Sequence, residues 1–217
     1  MPQQTSASAQ IKPRRAGRPT AQDQAKIDRR IIQAARECFI AKGYGATSTN
    51  EVARAARVAK VTLYSRFPTK GDLLKALIDE QIRRTGGEIR HVGPKPKSLE
   101  TMLRIFAEQS LKNSLSSQTL PLNRIIYSES ERFPELGEVA RGRAQTGIQQ
   151  ISRYIRDYAI KDQIPCRDPD FVAEMFTSVT RGWYFDMMLR KEPVTDGEIR
   201  SWTQRMTKWF VANRPKW

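Results

Sequence analysis

The chain has 217 residues, 39% of them hydrophobic and 28% charged, and a formal net charge of +15. That is ordinary globular usage, enough for a sizeable core and for one or two domains, which excludes an intrinsically disordered chain. Two cysteines outside any ligand spacing, one histidine and no apolar run of about 18 residues exclude a disulfide framework, a multi-histidine metal site within one subunit and a membrane span; with no apolar leader segment either, the expected compartment is the cytoplasm.

Charge is unevenly spread. Residues 1–85 carry 17 Lys and Arg against 7 Asp and Glu, whereas residues 86–217 carry 21 against 16. The N-terminal part is therefore the polyanion-facing end, and nucleic acid and an anionic membrane surface both attract such charge.

Residues 1–22 are polar and basic towards their end, and read as a flexible arm. From Asp23 onward Ile27, Ile31, Ala34, Ala35, Cys38 and Phe39 recur at helical steps, which predicts a first helix to about Lys42 that Gly43 and Gly45 end. Short helices follow over 48–56 and 60–67, then a longer one over 70–84. The breaker-rich segment 86–98, which holds the lone His91, reads as a linker-like loop near whose end the chain passes into its larger helical part. Apolar positions then predict helices over 98–115 and 121–131. Phe133-Pro134 restarts the chain into a long helix to about Ile160, which Gly142 and Gly147 weaken. Asp168-Pro169 is a start signal for a helix to Arg190, and Thr195 or Asp196 opens the last one. With no alternating strand pattern and no fixed-period repeat, the chain is predicted to be all-α, with about nine helices.

The segment from Thr47 to Leu74, TSTNEVARAARVAKVTLYSRFPTKGDLL, is the most informative. Ser48 and Glu51 have the spacing of a capping box, which starts a helix and offers amide groups to a phosphate. Val52, Ala55 or Ala56, Val58, Leu63 and Phe67 supply the buried side of two short helices, and Ala53 is small enough for a close crossing, which is helix-turn-helix chemistry. Lys60, Val61, Thr62, Tyr64, Ser65 and Arg66 are left on the outer and N-terminal part of the second helix, the surface that enters the major groove in this motif. Lys60 can donate to guanine or phosphate, Thr62 to a base edge or phosphate, Val61 can touch a thymine methyl, and Tyr64 offers a hydroxyl to phosphate. Thr47 and Ser48 at one helix start, and Lys70 as a backbone clamp at another, complete the expected DNA contacts. An ordinary helix pair with solvated cations is the alternative.

This segment resembles the DNA-binding signature of the TetR family, in which a T-T/S helix start, I/V-A, A-G-V-S, T-L-Y, a Phe and K-x-x-L-L follow at fixed spacing. The matching residues are Thr47-Ser48, Val52-Ala53, Ala56 to Ala59, Thr62-Leu63-Tyr64, Phe67 and Lys70 to Leu74. Arg57 stands where the family has its turn glycine and Ala59 where it has a capping serine, departures that each cost about 1 kcal/mol. Arg14, Arg15 and Arg18 resemble the family's basic arms and suit a narrow A·T-rich minor groove, with a solubilising tail as the alternative. IIYSESERFPEL, residues 125–136, resembles the AefR-like C-terminal domain of a TetR subgroup.

The resemblance implies a homodimer joined through its last two helices, a palindromic double-stranded operator, and a small-molecule inducer among the middle helices that releases a repressor. Phe171, Met175, Val179, Trp183, Met187, Trp202, Met206 and Trp209 are the candidate dimer residues, although such a stripe is also plain core. Phe106, Tyr127, Phe176 and Arg181 are the candidate pocket residues. Cys38 is either a redox switch or a small buried hydrophobe. The resulting organisation is a basic arm over 1–22, a helix-turn-helix domain over 23–70 and a helical regulatory and dimerisation domain over 71–217. No cofactor, metal or membrane partner is expected. The rivals are a sequence-tolerant nucleoid protein and a helical enzyme, and no phosphate loop or nucleophile elbow favours the latter.

Overall fold

A computed structural model describes residues 20–84 and 94–217. Among the described residues there are nine α-helices and no strand, the all-α architecture that the sequence predicts. In chain order they are α1 Ala21–Ala46, α2 Thr49–Ala55, α3 Lys60–Tyr64, α4 Lys70–Arg84, α5 Leu99–Leu115, α6 Leu120–Glu129, α7 Pro134–Asp162, α8 Pro169–Leu189 and α9 Asp196–Ala212. Arg14, Arg15, Arg18 and His91 lie outside the described residues.

Local chemistry sets most boundaries. Reciprocal capping boxes start α1 (Thr20 with Asp23), α2 (Ser48 with Glu51) and α9 (Thr195 with Glu198), while the Asp168 carboxylate caps α8 and Pro169 opens it. The Thr20 box makes α1 begin before Asp23, the start expected from the apolar pattern. Its far end also runs past Lys42, because Gly43 takes up the bend with φ 80° and ψ 167°, a conformation that suits a residue without Cβ. α3 stops at Tyr64 rather than Phe67, although the Phe67 amide still donates to the Leu63 carbonyl at 2.8 Å.

Among the described residues, three apolar clusters hold the helices together. The first joins α1 to α4 with Leu122 and Ile126 of α6 and Leu136 of α7. A second lies among α5, α7, α8 and α9, and a third joins Leu111, Tyr184, Met188 and Ile199. α7 links the first two: Leu136, Val139 and Ala140 meet the head, while Ile151, Ile155 and Tyr158 are buried in the second cluster.

Polar contacts fasten α1 to both ends of α6. Near the start of α6, Arg36 donates to the Gln118 carbonyl at 2.9 Å and to Gln81, whose amide donates in turn to Thr119 at 3.0 Å. At the other end the Tyr44 hydroxyl donates to Glu135 at 2.8 Å and the Gly45 amide to Glu129 at 3.3 Å. The head is thereby set against the α6–α7 corner by directed bonds as well as by apolar area.

Candidate DNA-binding surface

α2 and α3 are short helices that cannot hold themselves together in isolation, so their positions come from packing. Val52, Ala53, Ala56, Leu63 and Phe67 are buried in the first cluster, with Leu63 fully enclosed. Of the two alanines left open by the sequence, Ala56 faces inward and Ala55 is exposed. With these side chains fixed inward, the opposite edge is forced out. Val61 is 79% exposed and Tyr64 44% exposed, Lys60 and Ser65 are exposed beside them, and Thr62 is half-buried.

The start of α2 is tightly ordered. The Ser48 hydroxyl accepts from the Glu51 amide at 3.2 Å, and Glu51 accepts from the Ser48 amide at 3.1 Å. Lys42 lies 2.6 Å from the Glu51 carboxylate and, with the Ser48 amide, lowers its pKa to about 2. One turn away, the Thr49 and Tyr64 hydroxyls lie 2.7 Å apart. This bridge ties α2 to α3 and aims the Tyr64 hydroxyl, which makes Thr49 a candidate site residue that the sequence motif alone does not mark. The turn between the helices passes through Arg57 at φ 53°, and Ala59 starts α3 with no side-chain cap. The two departures from the family pattern are thus absorbed without loss of the helix pair.

Three of the expected DNA contacts are turned inward. Thr47 is 2% exposed, with its hydroxyl 2.8 Å from the Gly43 carbonyl and 3.1 Å from that of Cys38, so it braces the bend of α1. Arg66 pairs with Asp28 of α1 at 2.5 Å. Lys70 is no free phosphate clamp: its ammonium donates to the carbonyls of Tyr44, Gly45 and Thr47 at 2.8, 3.3 and 3.2 Å and sits over the Tyr44 ring, 4.4 Å from its centroid. Burial lowers the Lys70 pKa, against the pull of Glu129 and Glu135, and burial likewise raises that of Tyr44. These groups are one inward joint.

The four pocket candidates are not brought together. Phe106 and Phe176 are buried in the second cluster, with Phe176 packed edge-on to Phe210 at 5.1 Å. Tyr127 packs against Phe185 at 4.7 Å, and Arg181 lies 3.4 Å from the Ser178 hydroxyl. Aromatic side chains on the inner faces of a bundle have become core, and none of the four lines the cavity found between α4 and the middle helices. That cavity, of about 30 Å³, is lined by Ile78, Gln81, Asn113, Thr119, Leu122, Asn123 and Arg143, between α4 and α5, α6 and α7. Arg143 donates to Asn123 there at 2.8 Å.

The dimer candidates divide. Phe171, Met175 and Val179 stand exposed at four-residue steps along α8, and Trp209 is 69% exposed on α9. Met206 belongs to the interior, and Trp183 and Trp202 are half-buried, stacked on each other at 4.8 Å. Met187 is half-buried, its sulfur facing Arg190. Cys38 is half-buried, and burial raises the pKa of its thiol, which disfavours the thiolate that a redox switch needs. No helix among the described residues is long and apolar enough to cross a membrane.

Residues 31–77 match the family model for bacterial regulatory proteins of the tetR family, and residues 101–213 match that for the AefR-like transcriptional repressor C-terminal domain. The uncharacterised HTH-type transcriptional regulator YvkB of Bacillus subtilis is 36% identical over 185 residues, 85% of this chain and 95% of that protein. Among solved structures, the flavonoid-responsive regulator FrrA is similar with a TM-score of 0.68 and 29% identity, covering 87% of this chain and 96% of its own. A TetR-family transcriptional regulator from Syntrophomonas wolfei shares the fold with a TM-score of 0.71 and 18% identity, over 86% and 96% of the two chains.

Proposed function

The chain belongs to the tetR family of bacterial regulatory proteins, and from that premise we propose that this DNA-binding transcriptional repressor works as a homodimer on a two-fold symmetric operator and is released by a small molecule. The observation that carries the reading is the outer edge of α3, where a valine 79% exposed stands beside an exposed lysine while Leu63 of the same helix is fully buried. An apolar side chain held in water beside a cation suits the major groove, where a thymine methyl and a phosphate or guanine acceptor lie within reach of one helix. Lys60, Val61, Thr62, Tyr64 and Ser65 are the proposed contacts on α3, with Ser48 and Thr49 at the start of α2 and the basic arm as a further one.

Phe171, Met175, Val179 and Trp209 support pairing of two copies through α8 and α9, since a row of large apolar groups in water marks an interaction surface. Two copies related by a two-fold axis would set two α3 helices in successive major grooves. The effector is proposed to enter near the cavity that touches α4, because α4 carries its side of the cavity directly to the head. A ligand there lowers DNA affinity only by favouring a geometry in which the two heads no longer match the operator. That one structural relative is named as flavonoid-responsive supports a small-molecule effector in general terms. The division at residue 70 is functional in this reading, since the first cluster itself extends into α4, α6 and α7. A repressor of chromosomal genes works in the cytoplasm, and the role needs no catalytic step.

Genome-wide footprinting with the purified protein tests the reading. The expected result is a small set of palindromic sites bound about 10³-fold more tightly than random duplex. Uniform binding across the genome would favour the nucleoid-type reading instead.

A further inference from the structure

We propose that Arg57, in the turn between α2 and α3, contacts the DNA backbone with its guanidinium. The proposal rests on the assignment of α2 and α3 as the DNA-reading pair.

Arg57 has φ 53°, a left-handed conformation that disfavours any side chain with a Cβ. Its backbone is fixed there by the turn: its amide donates to the Arg54 carbonyl at 3.1 Å, and that of Val58 to the Ala53 carbonyl at 3.0 Å. Glycine would fit this position without strain, as Gly43 does at the bend in α1. Among the described residues the larger side chain finds no polar partner to compensate. It is exposed, and among the described residues it makes no ion pair or side-chain hydrogen bond. The one carboxylate of α2, that of Glu51, is already held by Lys42 and Ser48.

Position adds a second argument. Arg54, Arg57 and Lys60 recur at three-residue steps across the end of α2, the turn and the start of α3, and all three are exposed without a partner among the described residues. The other two cations of the motif, Arg66 and Lys70, are both bonded inside the head. Unpaired positive charge is thus concentrated where the chain enters α3, on the approach to the groove. A strained backbone with no internal return points to an external one, and a phosphate beside the groove supplies the acceptor an arginine fork fits.

The full-length protein with a random-sequence duplex is sufficient to test this, because phosphate contacts carry no sequence requirement. Arg57→Gly relieves the backbone and removes the charge, so its melting temperature should rise while its affinity falls. The slope of log affinity against log salt should become shallower by roughly 1 for each engaged subunit. Arg57→Gln keeps the strain and loses the charge, and should lose affinity with no gain in melting temperature. Arg57→Lys keeps the charge and should keep most of the slope. Wild-type affinity and slope in both the Gly and Gln variants would overturn the proposal, whatever their melting temperatures. A wild-type protein that binds no duplex in a salt-dependent way would instead remove the assignment on which it rests.

Discussion

The outer edge of α2 and α3 and the seam where the start of α4 meets α1 and its bend hold cations of the same kinds in opposite circumstances. On the edge, Arg54, Arg57 and Lys60 stand in water without a partner among the described residues, beside an exposed valine and a half-exposed tyrosine. At the seam the Lys70 ammonium meets three carbonyl oxygens and an aromatic face. Arg66, only four residues before it, is drawn to Asp28 of α1. The difference teaches that packing decides which basic residues of a helix-turn-helix remain available to an outside partner. Residues at the seam bind the head to itself, and those on the edge are the ones proposed to meet DNA.

The sharpest way to break this comparison is Lys70→Ala. Three carbonyls would lose the one charged donor they share, and the loss is set at about 1.5–3 kcal/mol in all, the general worth of a hydrogen bond to a charged group, because a single ammonium serves all three. A fall of roughly 3–12 °C in melting temperature is expected for a protein of this size, with equal losses of affinity on operator and random DNA. A variant of unchanged stability but reduced salt slope would return Lys70 to the phosphate contacts. Arg66→Ala should cost less, about 1 kcal/mol or under, since both partners of the pair keep some solvent exposure. Its salt slope should match that of the wild type, and calorimetry with the binding titration checks both points.

Lys60→Ala lies on the other side of the comparison. Its melting temperature should stay within the scatter of an ordinary surface substitution, about 0.5 kcal/mol in stability, yet a selected operator should lose more affinity than random duplex. Equal losses on both would make Lys60 a backbone contact only. The smallest effect expected is the acid response of the α2 cap. The Lys42 ammonium, then the Ser48 amide, lowers the pKa of Glu51 from its ordinary value of 4.5 to about 2. A depressed folded-state value means stability that is present above pH 4.5 and lost as pH falls towards 2. Glu51→Gln should therefore melt below the wild type at neutral pH, with the gap closing over that acid window. A gap that stays constant down to pH 2 would contradict the role of the charge.

The nine helices of the described residues are legible in the sequence because their signals are local. Ser48 with Glu51 and Asp168 with Pro169 mark starts within a few residues, and apolar spacing fills the interiors. α1 exceeds its expected bounds for an equally local reason: Thr20 and Asp23 make a capping box in what reads as the end of a polar arm, and Gly43 bends the helix rather than ending it. On α3 the outward residues are legible by elimination, since Leu63 and Phe67 take the inner side and leave Lys60, Val61 and Tyr64 outside.

What periodicity does not carry is the identity of distant partners. Glu129 and Glu135 lie 84 and 91 residues beyond the groups of the α1–α2 bend that they bond, and Asp28 lies 38 residues before Arg66. Nothing in the motif announces that its lysine and arginine are already engaged. Phe106 and Phe176 show the same limit in apolar form, because an aromatic ring that lines a pocket and one that fills a core give identical patterns in a bundle helix.

Hydrogen–deuterium exchange, read by mass spectrometry with and without an operator duplex recovered from genomic selection, tests the central claim most directly. Protection on DNA binding is expected to concentrate in peptides covering 48–50 and 57–65, with the exposed apolar row of α8 unchanged. Strong protection along α8 and α9, with α3 exchanging as in the free protein, would contradict the assignment of the reading edge.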